Sequence, residues 1–167
     1  MEKHDWSVFC KRINIKCSKQ EAYDAWASQE KLESWFLRSA VFLARGSGEK
    51  KAPGDILQQG DRYEWMWHGW SDEVLERGAV LVANGQDLFR FSFGDAGNVT
   101  VSIASEDGET IVELKQDEIP VDDSSRVKFH IGCLAGWTFY LANLKSILEG
   151  GLDLRNKNMK IASVVNA

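Results

Sequence analysis

Apolar and polar positions alternate with a changing period along this chain, and each change of period marks an element. From Trp6 to Lys16 the apolar residues Val8, Phe9, Cys10, Ile13 and Ile15 are mixed with charged ones, as in a first strand. Ser18 then offers an N-cap, with Glu21 placed to complete a capping box. Ala22, Ala25 and Trp26 follow on one helical face. Ser28 caps a second short helix running through Leu32, Trp35 and Phe36. A strand over 38–44 precedes the segment 45–60, whose Gly46, Gly48, Pro53, Gly54 and Gly60 read as a surface loop. Such a loop is a natural place for a cavity mouth or lid.

From Asp61 onward the period becomes two. Tyr63, Trp65 and Trp67 share one strand face, and Glu64, Met66 and His68 share the other. Gly69 to Asp72 turns the chain, Glu73 to Ala83 forms the next strand, and Asn84-Gly85 predicts a type I′ hairpin into Leu88 to Phe93. Turns at Asp95 to Asn98 and at Glu106-Asp107-Gly108 lead into Val99 to Ala104 and Thr110 to Gln116. These strands make an antiparallel meander. Asp122-Asp123-Ser124 then caps a long helix from Ser124 to Glu149, with Val127, Ile131, Leu134, Leu141, Leu144 and Leu148 at helical spacing. Gly150-Gly151 stops it. One large apolar helix is left to cover one face of the sheet, so the expected fold is α+β: a curved antiparallel sheet wrapped around the long C-terminal helix. Residues 1–152 form that single domain, and 153–167 are a loosely held tail without pattern.

Composition narrows the function. Of the 167 residues, 44% are hydrophobic, and 7 Trp is a high count that calls for a thick core or a concave aromatic lining. The formal net charge is −5 and Lys and Arg are scattered, which argues against a nucleic-acid partner and against anionic lipid surfaces. Cys10, Cys17 and Cys133 form no C-x-x-C pair, and the three histidines lie far apart. Neither a disulfide framework nor a metal site is expected, and no cofactor. No signal peptide and no apolar run of about 18 residues is visible, so the expected location is the cytoplasm.

The string Gly132-Cys133-Leu134-Ala135-Gly136-Trp137, continued by Leu141, Leu144 and Leu148-Glu149-Gly150, resembles the Gly-Trp…Leu…Leu…Leu-Glu-x-Gly signature of the activator-of-heat-shock-protein-90-ATPase-like proteins. Glu21 to Trp35, Gly60-Asp61-Arg62-Tyr63 and Glu109 to Leu114 agree with it. That family is a branch of the SRPBCC superfamily, the START and birch-allergen-like helix-grip domains. The resemblance spans roughly residues 6–152 and departs at Asn84-Gly85-Gln86, where many members carry a Pro-containing turn. It implies a helix-grip fold with a cavity between sheet and helix, which many superfamily members use for lipids, steroids, polyketides or other apolar molecules. It also implies a possible chaperone or client partner. In the eukaryotic co-chaperone a separate N-terminal domain helps drive the ATPase; this chain starts at the first strand of the helix-grip domain, so direct activation is not expected.

The expected function is therefore binding of a small apolar or aromatic ligand between sheet and C-terminal helix. The alternative is a co-chaperone-like interaction domain, with Asp72, Glu73 and Glu76 as exposed acidic docking positions. The candidate ligand-binding residues are Trp35, Tyr63, Trp65, Trp67, Phe89, Phe91, Phe93, His130, Trp137, Tyr140 and Leu141. The bland alternative for the rings is that they fill the core beneath the helix. Gly132 and Gly136 share a helix face, and their cost within a helix calls for either close packing or space left for a ligand; close packing is the commoner cause. Motifs of known enzymes are absent. A cyclase- or hydrolase-type activity would have to use scattered groups such as His130, Tyr140, Tyr63 and Glu64.

Overall fold

Buried positions alternate with less buried ones along most strands of the computed structural model, which describes residues 4–161 and 163–166. Strand β1 (Phe9–Ile15) is followed by helices α1 (Lys19–Asp24) and α2 (Gln29–Trp35) and by β2 (Ser39–Leu43). Then come β3 (Arg62–Met66), β4 (Glu76–Ala83), β5 (Leu88–Ser92), β6 (Asn98–Glu106) and β7 (Glu109–Asp117). The strands form one 7-stranded antiparallel sheet in the order β1-β7-β6-β5-β4-β3-β2. Only the β1–β7 pairing joins distant elements, so the meander is local, and α1 and α2 carry the chain across to the opposite edge at β2.

The C-terminal helix begins with α3 (Asp123–Ser125), passes through a π-helical stretch over Arg126–Ile131, and continues as α4 (Gly132–Leu148). The Asp122 carboxylate caps its start by accepting from the Ser125 N–H. Its inner face carries Trp137, Tyr140, Leu141 and Leu144, all buried against the sheet and the two short helices. The capping box at Ser18 and Glu21 is formed as the sequence predicts.

Two local expectations fail. The turn at Asn84 is not type I′: the Asn84 side chain accepts from the backbone N–H groups of Gln86, Asp87 and Leu88, holding a longer Asx-type loop. The positive-φ pair that a type I′ turn requires lies instead at Asp107 (φ 48) and Gly108 (φ 78). The tail, expected to be loose, is pinned near its start. The Arg155 guanidinium is buried, donates to the carbonyls of Leu37 and Ser34, and pairs with Asp153 at 2.7 Å. Asn143, buried in α4, accepts from the Leu154 N–H and donates to the Trp35 carbonyl. The tail has no apolar period because polar bonds, not apolar contacts, hold it.

The 45–60 segment is a connector. Its anchor is the buried Asp61 carboxylate, which pairs with Lys51 at 2.8 Å and accepts from the backbone N–H groups of Arg45 and Gln58. Burial alone would raise the Asp61 pKa, but these donors outweigh it and hold it below the usual carboxylate range.

Candidate functional site

Toward one end, the concave face of the sheet is closed by rings. Trp26, Trp35, Tyr63, Trp65, Phe89 and Phe91 have essentially no exposure. Tyr63 stacks on Trp65 at 3.8 Å, Trp65 meets Phe91 edge-on at 5.1 Å, and Trp26 meets Trp35 at 4.7 Å. The Tyr63 hydroxyl donates to the Ser92 carbonyl and presses on Gly78, where a Cβ would have no room. Desolvation pushes its phenol pKa well above the usual range. Trp35 donates from its indole N–H to the Ala25 carbonyl.

Toward the other end lies a cleft of about 540 Å³, within the size range of small-molecule sites. One wall comes from the sheet and its connections: Trp67, Trp70, Val74, Glu76, Phe93, Asp95 and Ala96. The other comes from the C-terminal helix: Lys128, Phe129, Gly132, Cys133, Gly136, Trp137 and Tyr140, with Phe36 at the base. The rings form a connected wall, with Trp67 to Phe93 at 6.2 Å, Phe93 to Trp137 at 5.7 Å and Phe36 to Tyr140 at 4.8 Å. Trp70 and Val74 form an exposed lip at 54% and 40% accessibility.

The glycines of the helix explain why this end is open. A Cβ built on Gly136 would have no atom within 4 Å, and one on Gly132 would meet only the Val127 carbonyl at 3.7 Å. The expected reason for the pair, close packing, is therefore not the one found; the missing side chains leave space. The π turn immediately before Gly132 widens the helix and places Lys128 and Phe129 on the cleft. Such insertions recur at functional sites.

Few titratable groups border the cleft. Burial raises the Glu76 carboxyl pKa and nearby Asp95 adds to it, while the Arg77 N–H and Lys128 oppose the shift. Burial likewise raises the Cys133 thiol, with Gln116 opposing it and Glu76 reinforcing it, which favours the protonated thiol over the thiolate. The Tyr140 phenol is pushed up to about 12 by burial, against the pull of Arg155.

Of the residues expected at the site, the structure brings Trp67, Phe93, Trp137 and Tyr140 together at the cleft. Trp35, Tyr63, Trp65, Phe89, Phe91 and Leu141 are core residues outside it. Alternation identified the inner face correctly but could not say which stretch of that face is covered. His130 lies elsewhere: its Nδ1 is 2.9 Å from the Trp6 carbonyl, its Nε2 is 3.3 Å from His4, and Phe9 packs beside it. Seven residues before Trp137, it is about 10 Å further up the helix, where its neighbour is the N-terminal segment. Glu64 is on the outer face, paired with Arg77 at 2.8 Å. The scattered acid–base candidates thus do not converge. Glu76, expected on an exposed acidic face, turns inward into the cleft, and Asp72 pairs with Arg38 at 2.6 Å. None of residues 45–60 borders the cleft, so that loop is not its mouth. Phe36, Trp70, Glu76, Asp95, Lys128, Phe129 and Cys133 were not anticipated as lining; the glycine pair was the one signal pointing to them.

Residues 16–149 match the family model described as Activator of Hsp90 ATPase homolog 1-like protein. The chain belongs to that family. This agrees with the resemblance read from its motifs and places it in the corresponding branch of the SRPBCC superfamily. Solved structures share the fold at low identity. The Aha1 dimer from Colwellia psychrerythraea has a TM-score of 0.64 at 16% identity, covering 86% of this chain and 97% of that one. SSP2350 from Staphylococcus saprophyticus has a TM-score of 0.66 at 18% identity, covering 95% and 98%. CalU16 from Micromonospora echinospora has a TM-score of 0.61 at 13% identity, covering 86% and 76%. No curated protein matches the chain in sequence. Among the described residues, no helix is long and apolar enough to cross a membrane.

Proposed function

We propose that this member of the family is a binding protein whose cleft takes a small, largely apolar or aromatic molecule between β3–β5 and the C-terminal helix. The open glycine face of the helix carries the reading. Gly132 and Gly136 each cost about 1 kcal/mol relative to Ala within a helix, and at Gly136 no neighbouring atom uses the space gained. What the space does serve is a ring-walled cleft of about 540 Å³. Flat apolar walls with a few polar groups at the rim are the usual make-up of a ligand site.

The family name supplies a second reading, docking on an Hsp90-type chaperone without chemistry. The exposed lip at Trp70 and Val74 favours it to the extent that a partner could cover it. The two readings make different demands: the first needs the cleft interior, the second only its lip.

The test is titration with N-phenyl-1-naphthylamine, a neutral probe that fluoresces in apolar surroundings. Saturable emission with matched quenching of tryptophan fluorescence is expected, because Trp67, Trp70 and Trp137 border the cleft. A linear, unsaturable response would overturn the reading.

A further inference from the structure

Glu76 opens β4 directly opposite Trp65 of β3. Residues opposed in an antiparallel pair point to the same face of the sheet. Trp65 is buried on the inner face, and so is Val80 further along β4. The Glu76 carboxylate therefore enters the apolar side of the molecule, at a position where the strand period calls for a hydrophobic residue.

Among the described residues Glu76 takes part in no ion pair, although basic residues are near. Arg77 points the other way to Glu64, and the Lys128 ammonium sits 4.8 Å over the Phe129 ring without reaching a carboxylate. The Glu76 carboxylate rests against the backbone of Gly94, next to Asp95, so the polar end of the cleft is negative. Beside it stand the contacting rings of Trp67, Phe93 and Trp137, edge-on and tilted to one another. A half-buried carboxylate without a counter-ion is unfavourable in the free protein, yet a carboxylate beside aromatic faces is the chemistry that recognises a cation.

We infer that the cleft selects ligands bearing a cationic amine on an apolar or aromatic body, with the amine docked on Glu76. The inference rests on the binding reading above and adds the ligand's charge to it. The ring wall takes the apolar body, Glu76 is the counter-ion, and Asp95 at the exposed rim biases the approach. An anionic ligand would have Lys128 alone in its favour against both carboxylates.

The experiment is calorimetric titration at pH 7.5 with three probes of matched shape: 2-naphthylmethylamine, 2-naphthalenemethanol and 2-naphthoate. Wild type and Glu76→Gln are compared, with a thermal melt to check that the variant folds. The amine is expected to bind wild type about tenfold tighter than the alcohol, with naphthoate weakest. In Glu76→Gln the amine-to-alcohol ratio should fall close to one. Equal binding of amine and alcohol by wild type, tighter binding of naphthoate, or a preference that survives in Glu76→Gln would each overturn the charge assignment and leave the cleft reading standing. Failure of all three probes to bind would overturn both.

Discussion

The two ends of the concave face are built from the same residue types and do opposite things. At the closed end, Tyr63, Trp65, Phe91, Trp26 and Trp35 interlock with essentially no exposure, and even Gly78 is glycine because the Tyr63 hydroxyl occupies the space a Cβ would need. At the open end, Trp67 and Phe93 are only partly buried and border a cleft floored by the buried Trp137, and Gly136 is glycine with nothing opposite it. One glycine makes room for the core, and the other makes room for something else. Ring content alone does not distinguish a core from a binding surface; what stands across from the rings does.

The largest effect that could break this comparison is a ring truncation at each end. Trp26→Ala should cost about 3–5 kcal/mol in urea unfolding, through lost burial and the cavity left behind. Trp67→Ala, half-buried at the cleft, should cost under about 2 kcal/mol yet lower N-phenyl-1-naphthylamine affinity. Equal stability losses at the two ends would show that they are one continuous core.

Next in size is the polar anchor of the tail. Arg155→Ala strands Asp153 and the carbonyls of Leu37 and Ser34, and should cost about 3 kcal/mol by thermal or urea unfolding. Burial would raise the Asp153 pKa, but Arg155 and Lys157 outweigh it and hold it well below the usual carboxylate range. A depressed folded pKa gives stability that is present above the unfolded value and is lost as pH falls through the acid range. Arg155→Ala should therefore lose part of its acid sensitivity. An unchanged acid limb would mean that the pair does not hold the tail.

The smallest expected effect concerns the unpaired carboxylate, whose sign is opposite. The Glu76 pKa is raised, chiefly by burial, with Asp95 adding to it and Lys128 and the Arg77 N–H opposing; Cys133, which also lines the cleft, is a protonated thiol in this range. A raised carboxylate pKa means that the folded state binds the proton more tightly, so stability declines as pH rises from the ordinary carboxylate pKa through the raised one. Glu76→Gln should flatten that decline and gain a few tenths of a kcal/mol at neutral pH. A loss of stability in Glu76→Gln would indicate an internal partner for the carboxylate.

Much of the fold was legible because its signals are local. The capping box at Ser18, the alternation from Tyr63 onward and the apolar stripe of the last helix each leave one structural answer, whereas the hairpin signal at Asn84 misled. The site was half legible. Period two places Tyr63, Trp65 and Trp67 on one face but cannot show that the covering helix and α2 reach the first two and stop short of the third. Likewise, helical spacing puts His130 in line with Trp137 but cannot show that Trp6 lies across from it. Glu76 was misread because its neighbours Asp72 and Glu73 are outward and polar, and the strand begins only at Glu76 itself. The tail was missed because Arg155 and Asn143 act through hydrogen bonds, which leave no period in the sequence.

The most direct test fills the open end from the helix side. Gly136→Leu adds a side chain on the face where Gly136 has no neighbour within 4 Å, and leucine is the better helix former by about 0.8 kcal/mol. Thermal unfolding and N-phenyl-1-naphthylamine titration on the same preparation separate fold from function. The account predicts an unchanged or raised melting temperature with probe affinity reduced about tenfold or more, since the added isobutyl group occupies the ligand's space. A variant that melts lower because leucine does not fit, or one that binds the probe as well as wild type, would contradict it.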